Sequence, residues 1–495
     1  MAFSDYERFD ATGLAELIKK REIGAAELLE EAIARTDKRN PALNAIVTRL
    51  DETARAAAKS GLPQGPFTGV PFLVKDLGPA LAGAPMHMGS RALRGYVPKQ
   101  DSELFRRYKA AGLNVFGKTN TPEFGNSAYT EPVLFGPCRN PWDTSRTPGG
   151  SSGGSAAATA AGIVPMAHGN DGGGSLRIPA SCTGLFGLKP SRGRMPGDAD
   201  VPDLLGALVC DHVMSRSVRD SAAMLDLSHG IDTGLLWGAP APRESYLASA
   251  GRDPGKLRIA SITGPMFARS IDPECVTAQT NAAKLLTGLG HSVEIAEPKI
   301  DYPEALSAFI ILFFTEIAQA IAVAEHATGR RFGRSEIEVV PWFARSYFRS
   351  MPSEAIARAT FVQGQIARSF ANFMTNYDVL LMPTLGMPPI AVGALKPNAI
   401  ESLMIDIASA TRFGPLAKTI IKELGAKAFA WTPSTPLFNM TGQPGMSVPL
   451  HWSTSGLPVG IQFIGRYGDE NTLFQLAGQL ERAQPWFDKR PKLAA

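Results

Sequence analysis

"GPFTGVPFLVKDL", residues 65–77, is the stretch from which the fold can be read outward. Val70, Phe72, Leu73 and Val74 form an apolar run bounded by glycine and proline, which predicts a turn and then a short buried strand. That strand ends in Lys75 and Asp76. A helix over about 102–111 follows, and "LNVFGKTN" (113–120) predicts a second strand and turn. Strand, helix and strand in this order argue for an α/β sheet. Further strands are expected in "CTGLFGLKPSRGRMP" (182–196), "KLRIASIT" (256–263), "YDVLLMPT" (377–384) and twice in "PGMSVPLHWSTSGLPVGIQFIG" (444–465), around a turn at Ser455 and Gly456. Helices are expected over 12–39 with Thr12 as cap, over 217–230, in "DPECVTAQTNAAKLLTG" (272–288) before a glycine turn and a strand, and over 471–483. Residues 232–255, rich in Pro, Gly and Ala, predict a surface connection. Residues 302–377 read as helical and aromatic, with Phe309, Phe313, Phe314, Trp342 and Phe343, the expected source of a substrate wall.

At 495 residues the chain has room for one large α/β domain with insertions, or for two domains. A hydrophobic fraction of 44% with 19% charged residues describes a folded globular protein. A formal charge of +4, with no basic run, gives no warrant for nucleic acid or a membrane surface as partner. Cys138, Cys182, Cys210 and Cys275 lie far apart without CxxC spacing, which predicts reduced thiols in a cytoplasmic protein and no zinc knuckle. The seven histidines show no metal-ligand spacing. No secretory signal opens the sequence, and its longest strongly apolar segment, "LSAFIILFF" (306–314), is too short to span a bilayer and predicts a buried helix.

Two glycine loops carry serines: "TPGGSSGGSAAATAAG" (147–162) and "HGNDGGGSLRIPA" (168–180). Phosphate binding is one reading, but no GK[ST] follows either loop and no GxGxxG follows a strand. A GxSxG elbow at Ser151 is a second, esterase-like reading; it needs an apolar strand before it, where "RNPWDTSRTP" stands, and a later histidine such as His451. The third reading joins both loops to Lys75: a serine hydroxyl needs a base, and a desolvated lysine can be one. "DGGGS" places unobstructed backbone N–H groups just before Ser175, as a tetrahedral intermediate requires.

"GVPFLVKDL", "TPGGSSGGSAAATAAG" and "GNDGGGSLRIPASCTGLFGLKPSRGR" together resemble the signature of the amidase signature family, as do the C-terminal "YDVLLMPT" and "FNMTGQPGMSVPLHWSTSGLPVGIQFIG". The resemblance implies an α/β amidase signature fold, a central mixed, twisted sheet flanked by helices. It implies one domain over 1–495, with its signature core at 69–194 and a helical insertion at 302–377. By the same resemblance Ser175 is the nucleophile, Ser151 a bridging serine after a cis peptide bond, and Lys75 the base. Gly172, Gly173, Gly174 and Ser175 supply the oxyanion hole, and Ser152, Asp171 and Arg177 brace the loops. Asn126 and Gly150 are expected to contact substrate. Neither metal nor cofactor is called for; the partner is a small-molecule amide or carbamate, and a homodimer is compatible. Many members of the family have Ile or Thr where this chain has Gly172, which loosens the loop or makes room for a bulkier acyl group. "GKTNTPEFGNSAYTEP", "RNPW" and "AHGND" resemble the branches acting on nylon oligomers, aryl amides and urethanes. The glutaminase subunit of a tRNA-dependent amidotransferase shares the triad and stays as the alternative.

Overall fold

The computed structural model describes residues 3, 5–197, 208–232, 238–411 and 414–492. Its strands are β1 (Ile46–Arg49), β2 (Pro71–Lys75), β3 (Asn114–Thr119), β4 (Met166–Asp171), β5 (Phe186–Lys189), β6 (Cys210–Ser215), β7 (Arg258–Ser261), β8 (Ser292–Ile295), β9 (Val379–Pro383), β10 (Gly445–Trp452) and β11 (Pro458–Gly465). They form one sheet in the order β1-β3-β2-β4-β6-β5-β10-β11-β9-β7-β8. β2 is parallel to β3 and β4, the stretch from β4 across to β9 is antiparallel, and β9, β7 and β8 are parallel again. The sheet is mixed and flanked by helices, as expected.

The parallel part positions the chemistry. β2 is buried along its whole length, as a strand covered on both faces must be, and this is why its sequence is a continuous apolar run. Leu73 pairs with Ala167, so β2 and β4 leave the sheet at the same edge, carrying Lys75 from one strand and Asn170 and Asp171 from the other. Ligands of such sheets bind beyond the carboxyl ends of the strands. The helix Gly153–Ala160 covers this edge, and all eight of its small residues are buried. Gly154 donates its N–H to Asn120 O at 3.1 Å, and a Cβ there would lie 2.4 Å from Asn120 N and 2.5 Å from Ala45 O. Ser155 Oγ lies 2.7 Å from Thr119 Oγ1 and donates to His168 O at 2.6 Å. The helix is thereby tied to β3 and β4, with Ser151 just ahead of it.

Four expectations change. The helix predicted over 12–39 is two helices, Ala11–Lys19 and Ala25–Leu43, separated where Arg21 takes φ 61°. The hydrophobic spacing runs through the break because Leu14, Leu28 and Leu29 all bury in one core. The cap is Asp10, which accepts from Gly13 N–H, while the N–H groups of Ala11 and Thr12 donate to Asp220 at 2.7 and 2.9 Å. The connection at 232–255, of which 233–237 lie outside the described residues, contains the helix Tyr246–Ala250, whose buried Tyr246 ring lies 5.6 Å from Phe474. The second glycine loop begins inside the sheet, since 166–171 form β4 and only 172–176 turn towards the helix Arg177–Thr183. Finally, the apolar segment at 306–314 belongs to a helix of 27 residues, Tyr302–Thr328, long and apolar enough by length and composition to cross a membrane, though here it packs on the helices Val339–Ser350 and Ser353–Phe373.

The close approach of Gly154 gives a signed prediction. Gly154→Ala must push the helix off the strand ends and lower stability by about 1–3 kcal/mol, the usual cost of overpacking. Gly364→Ala, the same change in the interior of the helix Ser353–Phe373 with open space around it, raises stability by about 0.5–1 kcal/mol. Thermal or denaturant unfolding of the two variants shows opposite shifts.

Candidate active site

Lys75 ends β2 fully buried. Its Nζ lies 2.7 Å from Ser151 Oγ and 2.5 Å from Asn170 Oδ1, and the Gly150–Ser151 peptide bond is cis. The Asn170 amide donates from Nδ2 to Leu77 O at 3.1 Å, so its oxygen is the end that faces Lys75. Burial pushes the Lys75 ammonium down to about 7, against the opposing pull of Asp211 and Asp171. His168 is buried behind the lysine: Nδ1 accepts the Lys75 backbone N–H at 3.4 Å and Nε2 contacts Asp211 Oδ1 at 3.0 Å. Burial lowers the pKa of this imidazole, and accepting at Nδ1 leaves its proton on Nε2, donated to Asp211.

Ser175 stands between β4 and the helix Arg177–Thr183, and the carboxylate of Asp171 holds that turn. Asp171 accepts from Gly174 N–H (2.7 Å), Leu176 N–H (3.2 Å), Arg177 Nε and Nη2 (2.9 Å each) and Asn439 Nδ2 (2.9 Å). Burial pushes this carboxyl up, but the Arg177 guanidinium and these donors bring it down to about 2. Arg177 also reaches Gln462 Oε1 at 2.8 Å and Asn439 Oδ1 at 2.6 Å. Ser152 exchanges hydrogen bonds with the backbone of Asn170, donating from Oγ at 3.1 Å and accepting at 3.3 Å. Ser152 thus joins the first glycine loop to the end of β4, and Asp171 and Arg177 join the second loop to Gln462 and Asn439.

Two expected site residues are placed differently. The Gly174 N–H is held by Asp171, which removes it from the set of expected oxyanion donors. Gly150 lines neither cavity beside Ser175; its Cα packs on the Tyr129 backbone, which a Cβ would approach to 2.7 Å. The sequence reading assigned no role to Asn170, Asp211, Thr435 or Asn439. Asn170 and Asn439 stand inside quoted motifs, but nothing in one chain marks which of a motif's residues turn inward. The GxSxG reading fails in space: loop, not strand, precedes Ser151, its hydroxyl meets Lys75, and His451 lies beside Glu274.

Ser175 lies at the junction of two cavities. One, of about 190 Å³, is apolar and lined by Ile178, Phe309, Phe313, Phe314, Phe343 and Phe429, with Asn126 at its wall. The other, of about 260 Å³, is mixed: Ser151, Asn170, Gly172, Asp211, Glu316 and Gln319 share it with Met86, Met88 and Ala320. Gly173, Ser175 and Phe313 face both. The helices Tyr302–Thr328 and Val339–Ser350 supply Phe309, Phe313, Phe314 and Phe343 of the apolar lining, and the helix Gly414–Trp431 adds Leu424 and Phe429. A larger cavity of about 470 Å³, between the helix Pro273–Gly288 and β7 and β8, contains none of the expected site residues.

With this geometry in view, the amidase family model matches residues 27–474. The chain belongs to the amidase signature family, hydrolases acting on carbon–nitrogen bonds. It is 38% identical over 501 residues to 6-aminohexanoate-cyclic-dimer hydrolase of Paenarthrobacter ureafaciens, covering 98% of this chain and 96% of that one. The structure of 6-aminohexanoate cyclic dimer hydrolase complexed with substrate matches with a TM-score of 0.88 at 36% identity over 99% of each chain. A bacterial aryl acylamidase of the same family matches with a TM-score of 0.84 at 26% identity, covering 97% of this chain and 96% of that one.

A lysine held neutral costs stability in a pH-dependent way. In the unfolded chain it keeps its proton up to about 10.5, whereas in the fold it loses it near 7. Below pH 7 the full cost is present, and between 7 and 10.5 it is progressively removed. Lys75→Met therefore gains stability relative to the native chain most at pH 6. That gain shrinks by up to about 1.4 kcal/mol per pH unit on the way to pH 9, as unfolding measured at pH 6, 7.5 and 9 shows.

Proposed function

We propose that the chain is an amidohydrolase that cleaves a non-peptide secondary amide, anilide or carbamate with apolar flanks through an acyl-enzyme on Ser175, in one catalytic domain over 1–495. The observation that carries this reading is the buried Lys75, its pKa pushed down to about 7 and its Nζ 2.7 Å from Ser151 Oγ, behind a cavity that Ser151 and Ser175 both line. An amide oxygen only accepts, so Asn170 takes an N–H of the neutral amine. The lone pair of Nζ is then directed to the Ser151 hydroxyl. Ser151 passes its proton to Lys75 and takes that of Ser175, whose oxygen bonds to the substrate carbonyl carbon. The oxyanion is held by N–H groups of Gly172, Gly173 and Ser175. On collapse the carbon–nitrogen bond breaks and the nitrogen leaves with a proton returned through Ser151. Water then adds across the ester, giving the acid and restoring Ser175. Asn126, on the apolar wall, contacts substrate. The four cysteines are buried and free, which suits a reducing, cytoplasmic setting.

A fluorophosphonate probe, followed by intact mass and peptide mapping, labels Ser175 in the native chain and nothing in Ser175→Ala. A label on Ser151 would sink the assignment, and turnover of glutamine in preference to anilides would favour the glutaminase reading.

The rate follows the neutral form of Lys75, so kcat/KM rises through an acid limb near pH 7, present above it and lost below. Asn170→Asp sets a carboxylate against Nζ, favours the ammonium and moves that limb up by about one pH unit or more. An unmoved limb would show that Asn170 only packs.

A further inference from the structure

Gly172, Gly173 and Gly174 are consecutive, yet the structure gives each a different reason for being glycine. At Gly174 φ is +128° and a Cβ would lie 2.3 Å from Thr435 Oγ1, so backbone and packing both exclude a side chain. At Gly173 a Cβ would approach Phe309 Cζ to 3.3 Å, against the aromatic wall of the apolar cavity. Gly172 meets neither condition. Its φ lies outside the left-handed region, and among the described residues a Cβ would have one neighbour, Val209 Cγ2 at 3.1 Å, on an exposed side chain that lines the same mixed cavity. The turn does not require glycine there. The space left free belongs to the cavity.

Which part of a substrate enters that cavity follows from the proton path, and so rests on the reading of Ser151 and Ser175 above. The nitrogen that leaves must receive its proton from Ser151 Oγ, and Ser151 and Asn170 line the mixed cavity and not the apolar one. The amine half therefore lies on the Gly172 side and the acyl half on the Phe309 side. We propose that Gly172 is a specificity-determining residue that enlarges the leaving-group chamber, fitting the enzyme to amides and carbamates of bulky, ring-bearing or branched amines rather than to primary amides. The lining agrees with such an amine: Met86, Met88 and Ala320 offer apolar surface, and Gln319 and Glu316 stand beside it.

The test uses two substrate series on the full chain. One keeps a phenylacetyl group and varies the amine from ammonia through methylamine and aniline to 2-naphthylamine; the other keeps aniline and varies the acyl group. In Gly172→Thr, and in Ala320→Phe, which fills the chamber from the helix Tyr302–Thr328, the ratio of kcat/KM for the naphthylamide to that for the methylamide falls by about tenfold or more. The acyl-series ratios keep their native order. Because the reading is a ratio, a general disturbance of the glycine loop cancels, and Ala320→Phe leaves that loop untouched. A ratio that does not move in either variant, or a shift confined to the acyl series, overturns the assignment of the chamber. A native chain that turns over neither series overturns the hydrolase reading itself, and this inference with it.

Discussion

The burial of Lys75 against neutral partners is the condition on which the rest of the site depends. A buried ammonium would drive its own deprotonation only if no carboxylate nearby were free to pair with it. Two carboxylates are close enough to pull the other way, those of Asp211 and Asp171. Asp171 is matched by Arg177, which gives it two hydrogen bonds, and by Asn439 and two backbone N–H groups. Asp211 has a neutral imidazole, His168, as partner. The direct partners of Nζ, Ser151 Oγ and Asn170 Oδ1, are both neutral. Desolvation then dominates and pushes the amine down to about 7, which is what the proposed role of base requires.

The sheet makes this arrangement available because parallel strands end together. β2 brings the lysine, β4 brings Asn170 and Asp171, and the turn after β4 brings Ser175 to the same edge. Ser151 arrives from a different direction, ahead of a helix whose residues are small enough to lie directly on the strand ends. The brace then extends across the sheet: Arg177 joins Asp171 to Gln462 of β11 and to Asn439. The Thr435 hydroxyl donates to Gly173 O at 2.9 Å. Residues more than 250 positions apart in the chain therefore fix one five-residue turn.

How much of this was legible in the sequence follows from how local each signal is. The strand ending in Lys75 and the two serine loops are legible because apolar runs and glycine clusters are contiguous, and the resemblance to a family supplied their roles. The break between Ala11–Lys19 and Ala25–Leu43 was not, since a periodicity that serves one core does not register a change of axis. β4 was hidden because His168, Gly169, Asn170 and Asp171 look like loop residues; they form a strand because the neighbours β2 and β6 supply hydrogen bonds, Lys75 and Arg177 satisfy the side chains of Asn170 and Asp171, and Ser152 bonds the Asn170 backbone. Asp211 lies outside every quoted motif, and Asn439, though inside one, is not marked within it, because what each touches is distant in sequence.

The long apolar helix Tyr302–Thr328 shows why composition alone misleads here. Its most apolar stretch is only 33% buried, a poor fit to an ordinary core helix, and the reason lies in the cavities. Its first half turns Phe309, Ile310 and Phe314 to the apolar cavity, its second half turns Glu316, Gln319 and Ala320 to the mixed one, and Phe313 stands between them. A wall that faces a cavity is apolar without being covered, and the sequence of such a wall is that of a buried or membrane-spanning helix with too little protein against it. Along this one helix aromatic residues give way to Glu316 and Gln319 among Ile317, Ala320 and Val323, as the apolar cavity gives way to the mixed one across Ser175. In the reading proposed above, the same helix that closes the site also divides it, so that the polarity of the substrate's two halves is written into the order of residues 309–320.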